Sequence, residues 1–415
     1  MAKLSENGRA ISKFTMLGHS SVHWFETSIP IFLVVWLVEF PDVGVAVFGL
    51  VVALGYVPFG LGALPAGILT DRYGSKRMIL LCLAGMSLSF LLLSVAVSIG
   101  MIAIALLMWG TAASIYHPAG LSLISTGVKE RGTAFAYHGI AGNVGIASGP
   151  LVTATLLIFF EWQVVAAVLA LPGMVGLWFG LRAEFNPVAA VEAENIADSS
   201  NSASLRELFL TSKTLFASAF IIVFAIVTAE GLFYRGILTY LPEILHGLPT
   251  IEAIELPARL ERIETADYIY AGLLIVGMAG QYTGGKLTRS FDPERGLAII
   301  FFILTGLTLL FVPISLIGFG AVILFTVVLG FFLFAIQPFY QEAVAVYTPE
   351  DARGISYGYT YLGEFGLGAG SIVVGGLLLD RFSMTIFFVV MAAFAFTGGV
   401  LSIGLLISNK LDTYN

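Results

Sequence analysis

The sequence predicts an all-α integral membrane protein: twelve transmembrane helices in two pseudo-symmetric six-helix bundles. Three observations carry that prediction. Of 415 residues, 58% are hydrophobic and only 11% are charged, whereas soluble chains carry about 25% charged residues. The apolar residues come in runs long enough to cross a hydrocarbon core of about 30 Å. The two halves of the chain also share short motifs at matching places.

The spans are expected at 14–38, 44–70, 77–98, 101–127, 132–159, 163–182, 213–241, 266–288, 296–317, 320–347, 354–379 and 384–408. Gly, Pro or charge clusters mark most of their edges. The runs are apolar all round, which excludes a membrane barrel, whose strands alternate polar and apolar residues. Lys3, Arg9 and Lys13 precede the first run, but His19, His23 and Glu26 make it too polar for a signal core. It reads as an uncleaved first helix. Glycines in the second, fifth and eleventh spans suit close helix packing, and Pro58 and Pro65 are expected to bend the second.

Basic residues set the orientation. With the N-terminus inside, Lys3, Arg9, Lys13, Arg72, Lys76, Arg77, Lys129, Arg131, Arg182, Arg206, Lys213, Lys286, Arg289, Arg295, Arg353 and Lys410 are cytoplasmic, 16 of 20. Arg259, Arg262 and Arg381 lie outside and Arg235 within a span. Both termini are therefore expected in the cytoplasm of a multi-pass plasma-membrane protein. The domains expected are an N-terminal bundle 1–182, a flexible cytoplasmic linker 183–206 and a C-terminal bundle 207–415. On the outer side, the stretch after Pro257 is expected to extend the eighth helix. Eleven of the 27 acids fall in two polar stretches, five in 183–207 and six in 243–267. The pI of 5.3 thus describes loops, and nucleic acid is not an expected partner. Cys82 is the single cysteine, so no internal disulfide forms.

The halves repeat. Gly67-Ile-Leu-Thr-Asp71-Arg-Tyr73 matches Gly285-Lys-Leu-Thr-Arg289-Ser-Phe291, and Glu130-Arg131-Gly132 matches Ala352-Arg353-Gly354. Tyr137 then falls on Tyr359, and Pro118 answers Pro338 if two residues are inserted. Matching inner loops imply parallel halves about an axis along the membrane normal.

On these features the chain resembles the major facilitator superfamily over essentially its whole length. Gly67, Asp71, Arg72, Tyr73, Gly74, Lys76 and Arg77 look like that family's loop between helices two and three, with Ser75 in place of a usual base. Gly145-x-x-x-Gly149-Pro150 is similar to the helix-five motif of its antiporters. Tyr116-His117-Pro118-Ala119-Gly120 and Tyr137-His138-Gly139 resemble the branch of fosmidomycin-resistance-type exporters. Two departures stand out: no Arg lies between Gly100 and Gly127, and Arg289 occupies the second-half position of the loop Asp.

The loop has a physical role of its own. Asp71, at the end of a helix, suits a facing helix N-terminus, where partial positive charge gathers. Arg72, Lys76 and Arg77 suit acids of the other half, so the loop is expected to latch the cytoplasmic side.

Ionisable groups inside spans are costly and usually face a cavity. His19, His23 and Glu26 are spaced i, i+4, i+7 on one face. His117 and His138 lie in the fourth and fifth spans, and Glu230, Arg235 and Glu364 lie within the seventh and eleventh. Tyr116, Tyr234, Gln337 and Tyr340 add hydrogen-bonding groups at similar depth. Glu230, about a turn from Arg235, is expected to be its structural partner.

The reading that follows is a secondary transporter moving a small organic solute by alternating access, with protons as the coupling ion and export favoured by the helix-five motif. Glu26 is the first choice for proton carrier, with Glu230 and Glu364 as rivals. His19, His23, Tyr116, His117, His138, Tyr234, Arg235, Gln337 and Tyr340 are the expected substrate-binding groups. Alternatives are proton-coupled uptake of an organic anion, or divalent-metal transport with His19, His23 and Glu26 as ligands. No GxxxxGK[ST] loop and no His-Glu-x-x-His motif occurs, so neither ATP drive nor an intramembrane enzyme is expected. No cofactor is expected, and the chain is expected to be a monomer.

Overall fold

The computed structural model describes residues 4–191, 205–254, 264–348 and 353–414, and no strand occurs among them. Helix is what the composition demands, because backbone N–H and C=O groups in hydrocarbon must be satisfied within their own segment. The helices are α1 Glu6–Glu39, α2 Val45–Leu61, α3 Ala63–Tyr73, α4 Ser75–Leu93, α5 Ile99–Ala113, α6 Tyr116–Gly127, α7 Arg131–Leu157, α8 Trp162–Leu169 and α9 Leu171–Arg182. They continue as α10 Leu205–Phe216, α11 Phe220–His246, α12 Pro249–Glu252, α13 Thr265–Leu287, α14 Pro293–Ser315, α15 Phe319–Tyr347, α16 Arg353–Tyr361, α17 Gly370–Arg381 and α18 Met384–Tyr414. A π-helical turn, Leu362–Leu367, joins α16 to α17.

Among the described residues ten helical stretches are long and apolar enough to cross a membrane, and the bent pair α2 and α3 makes up to eleven. The remaining segment of the expected twelve is α13. Its 23 residues reach about 34 Å at 1.5 Å per residue, while Asp267, Gln281 and Lys286 lower its hydropathy. The outward extension expected ahead of it falls largely on residues 255–263, which lie outside the described residues.

Several spans that read as single helices are broken. The second bends by 49° between α2 and α3; Pro58 lies one turn before the break and Pro65 just after it. The seventh is preceded by the separate helix α10.

The described chain forms two compact units, Met1–Ile29 with Leu54–Leu208 and Pro30–Ala53 with Phe209–Asn415. The change of unit inside α1 falls at its one proline, Pro30. In the first unit α4 packs against α5, α6, α8 and α9. In the second, α13 packs against α15, and α14 against α15 and α18. Gly49 there lies against the Tyr240 hydroxyl, which donates to the Ile372 carbonyl at 2.6 Å.

The opening of the expected flexible linker is pinned. The Asn7 side-chain amide donates to the carbonyls of Gly127 and Asn186 at 2.9 and 3.0 Å. The Thr126 hydroxyl donates to Pro187 at 2.7 Å, and the Ala190 N–H donates to Thr126. Residues 192–204, the rest of that linker, lie outside the described residues.

Candidate functional site

Two polar clusters lie among the apolar helices, one in each unit. The first is built on α1, α6 and α7. Helical spacing brings His19 and His23 together, with their Nε2 atoms 3.1 Å apart. The other nitrogen of each ring is engaged elsewhere: His23 Nδ1 lies 2.6 Å from Glu26 Oε2, and His19 Nδ1 lies 2.7 Å from the His138 carbonyl oxygen. The His138 ring stacks on His19 at 3.8 Å, and the His117 ring stands edge-on to it at 5.2 Å. His117 also stacks on Phe59 at 6.1 Å. Tyr116 donates its hydroxyl to the Thr15 carbonyl, and Tyr56 donates to the Glu26 carbonyl at 3.0 Å. Glu26, His117 and His138 are buried.

Glycine makes this approach possible. A Cβ on Gly142 would strike the His19 ring, one on Gly145 the Ser20 carbonyl, and one on Gly149 the Trp24 carbonyl. Gly145 and Gly149 of the helix-five motif therefore seat α7 on α1, with Pro150 buried beside them. Their contacts are with backbone, as small-residue packing predicts.

The second cluster lies on α11, α15 and the π turn. Arg235 Nη2 is 3.7 Å from Glu364 Oε1, and its guanidinium lies 4.0 Å from the Phe365 ring centre and 5.0 Å from that of Tyr234. Tyr340 donates its hydroxyl to Glu364 Oε2 at 3.0 Å. Glu364, not Glu230, is therefore the ion-pair partner of Arg235, because the π turn carries the Glu364 side chain to it. Glu230 is 1% exposed, and neither of its carboxyl oxygens has a hydrogen-bond partner among the described residues. It interacts electrostatically with both Glu364 and Arg235. Gln337 accepts a hydrogen bond from Gln281 at 3.3 Å.

In the first turn of α4, Lys76 donates to the Ala183 carbonyl at 2.6 Å and covers the Phe185 ring. Asp71, Arg72 and Arg77 are exposed. Gly74, between α3 and α4, has φ +87°, a left-handed backbone that L side chains rarely adopt. Gly67 faces open space.

Three histidines of the first cluster, His19, His23 and His117, present ligand nitrogens within 4.8 Å of one another. Glu26, expected from helical spacing to complete such a set, stands behind His23 on its Nδ1 side. Sequence reasoning missed Phe59, Tyr56, Gln281 and Phe365. The aromatics look like ordinary core in the sequence. The signal for the π turn was the glycine run Gly363, Gly366, Gly368 and Gly370.

Comparison with known proteins gives a consistent answer. The profile described as Major Facilitator Superfamily matches residues 15–371. An uncharacterized MFS-type transporter of Mycobacterium tuberculosis is 26% identical over 367 residues, covering 84% of this chain and 80% of that one. Among solved structures, the nucleoside transporter NupG superposes with a TM-score of 0.75 at 15% identity, covering 96% of this chain and 99% of that one. A bacterial homolog of the human lysosomal transporter Spinster, inward-facing and occupied, gives a TM-score of 0.67 at 15% identity, covering 97% and 96%.

Proposed function

Since the chain belongs to the major facilitator superfamily, we propose that it is a proton-coupled exporter of a small organic solute. It is a multi-pass secondary transporter of small solutes, and not an enzyme. Coupling, direction and substrate class are our own reading.

Glu230 carries the coupling proposal. Burying an ionised carboxylate without a hydrogen-bond donor costs several kcal/mol, and Arg235 is already paired with Glu364. Two carboxyl groups thus share one guanidinium, and Glu230 is the one left to hold a proton. A solute with positive charge or hydrogen-bond donors would compete with the proton for Glu230 and Glu364. Binding of one then expels the other, which links solute and proton in exchange. Glu26, first choice by position, already has His23 at 2.6 Å.

Export is favoured by the resemblance of Gly145, Gly149 and Pro150 to the antiporter motif. We place the protein in the plasma membrane with both termini cytoplasmic, on the basic-residue bias. The two six-helix halves, 1–182 and 207–415, remain our domain proposal from the repeat. Gly67, Asp71, Arg72, Gly74, Lys76 and Arg77 are proposed to control cytoplasmic closure.

The test uses proteoliposomes holding a pH dye, challenged with gradients of organic anions, nucleosides and organic cations. At least one solute should drive proton movement in the wild type. Glu230→Gln should keep solute exchange and lose the proton signal. Solute exchange that moves no protons in the wild type would overturn the coupling.

A further inference from the structure

The first cluster poses a proton-counting problem that the transport reading leaves unsolved. A backbone carbonyl only accepts, so His19 Nδ1, 2.7 Å from the His138 carbonyl oxygen, carries the hydrogen. The Nε2 atom of a neutral His19 is then a bare lone pair. An ionised Glu26 likewise only accepts, so His23 Nδ1, 2.6 Å away, carries its hydrogen, and His23 Nε2 is a second lone pair. Those two lone pairs face each other at 3.1 Å. With Glu26 ionised, these two acceptors at hydrogen-bond distance call for a proton or a metal ion between them.

We propose that His19, His23 and His117 bind one divalent first-row metal ion of the zinc class. Three observations fit such an ion. Tetrahedral zinc at about 2.0–2.1 Å from each imidazole nitrogen sets neighbouring nitrogens about 3.3–3.4 Å apart, close to the spacing of the His19 and His23 Nε2 atoms. His117, from α6, supplies a third ring; the three ligand atoms lie within 4.8 Å of one another, so His117 closes on the other two when the ion binds. Finally, metal-bound histidines usually donate their distal N–H to a carboxylate or a backbone carbonyl. Here Glu26 does the first for His23 and the His138 carbonyl does the second for His19.

The donor set is all imidazole, which suits zinc, copper, nickel or cobalt better than magnesium or calcium. Three histidines leave a fourth position open, as in metal sites that bind a further ligand. His19 and His23 are half-buried, while Glu26 behind His23 is only 4% exposed. The site lies within the first unit, and its existence does not depend on how Glu230 and Arg235 work.

The experiment uses tag-free, full-length protein, stripped with a chelator and titrated with Co²⁺ and then Zn²⁺. One Co²⁺ should bind per chain, with a visible spectrum of low-coordinate nitrogen ligation, and Zn²⁺ should displace it. His117→Asn should abolish stoichiometric binding. Glu26→Gln keeps every ligand and should weaken affinity about 10- to 100-fold. His246→Gln should change nothing, although His246 lies 2.8 Å from Asp267. If His117→Asn does not fold, X-ray absorption of the wild-type Co²⁺ protein decides the question. Three imidazoles around cobalt support the site, and oxygen-dominated ligation overturns it. Absence of one-to-one binding in the wild type overturns it too, leaving a proton as the bridging cation. So does Co²⁺ binding that survives His117→Asn in folded protein.

Discussion

In the first unit the bulky polar group projects from α1 and the gap that receives it is on α7; in the second unit the roles are exchanged. Aligning Pro30 with Pro242 places His19 on Gly231 and His23 on Arg235. Aligning Glu130-Arg131-Gly132 with Ala352-Arg353-Gly354 places Gly142 on Glu364. His19 sits against Gly142, and Gly231 sits against the backbone of Glu364. The helix pair keeps its close approach in both units while the helix that brings the polar group changes. The chemistry differs as well. The first cluster has one carboxylate and rings that can be neutral; the second has a permanent cation and two carboxyl groups. One unit is therefore built to hold a cation, and the other to keep a charge balance.

That difference predicts unequal penalties for removing a charge. Arg235→Met would leave Glu364 buried without its cation, and breaking a buried pair from one side costs about 3–5 kcal/mol. Adding Glu364→Gln should recover part of the loss. In the first unit, Glu26→Gln removes a hydrogen bond to a charged group, worth about 1.5–3 kcal/mol. Thermal unfolding in detergent measures both. Equal losses would mean that the charge-balance distinction is wrong.

The glycines sharpen the packing half of the comparison. A Cβ on Gly231 meets the Glu364 backbone, which cannot step aside, whereas one on Gly142 meets the His19 ring, which can yield only by giving up its 2.7 Å contact with the His138 carbonyl. Overpacking costs about 1–3 kcal/mol. Gly231→Ala should fall at the top of that range and Gly142→Ala below it. Gly139→Ala, with nothing near it, should change the melting temperature little. A reversed order in a thermal-shift series would break the account.

Much of this was legible in the residues. Long apolar runs with Gly, Pro and charge clusters at their edges laid out the spans, and a spacing of four brought His19 and His23 together because helical geometry is local. What the sequence left unread is tertiary. Nothing in the periodicity of α6 says that His117 stands edge-on to His19. A straight α-helix pairs residues three or four apart, so Glu230, five positions before Arg235, lies off the face of Arg235. Glu364 wins it because the π turn at Leu362–Leu367 shifts the register of the eleventh span, and π turns are enriched at functional sites. Glycine-rich spans thus gave a packing signal without revealing which polar group each gap admits.

The smallest effect expected is the most informative about substrate contact. Aligning Pro118 with Pro338 sets Gln337 at the position of His117, so the two clusters have a third pair in correspondence. Gln281 donates to Gln337 at 3.3 Å, and the Gln281 oxygen has no hydrogen-bond partner among the described residues. Side-chain hydrogen bonds between membrane helices contribute about 0.6 kcal/mol on average. Gln281→Leu should therefore cost well under 1 kcal/mol of stability on that scale, and Gln281→Leu with Gln337→Leu should cost no more than either alone. If Gln281 merely joins α13 to α15, solute exchange will be unchanged in Gln281→Leu and in Gln337→Leu alike. If it holds Gln337 in position for the solute, both variants should weaken solute affinity while thermal stability stays near wild type. Identical exchange kinetics in all three proteins would remove Gln337 from the binding site and leave Arg235 and Tyr340 as its polar groups.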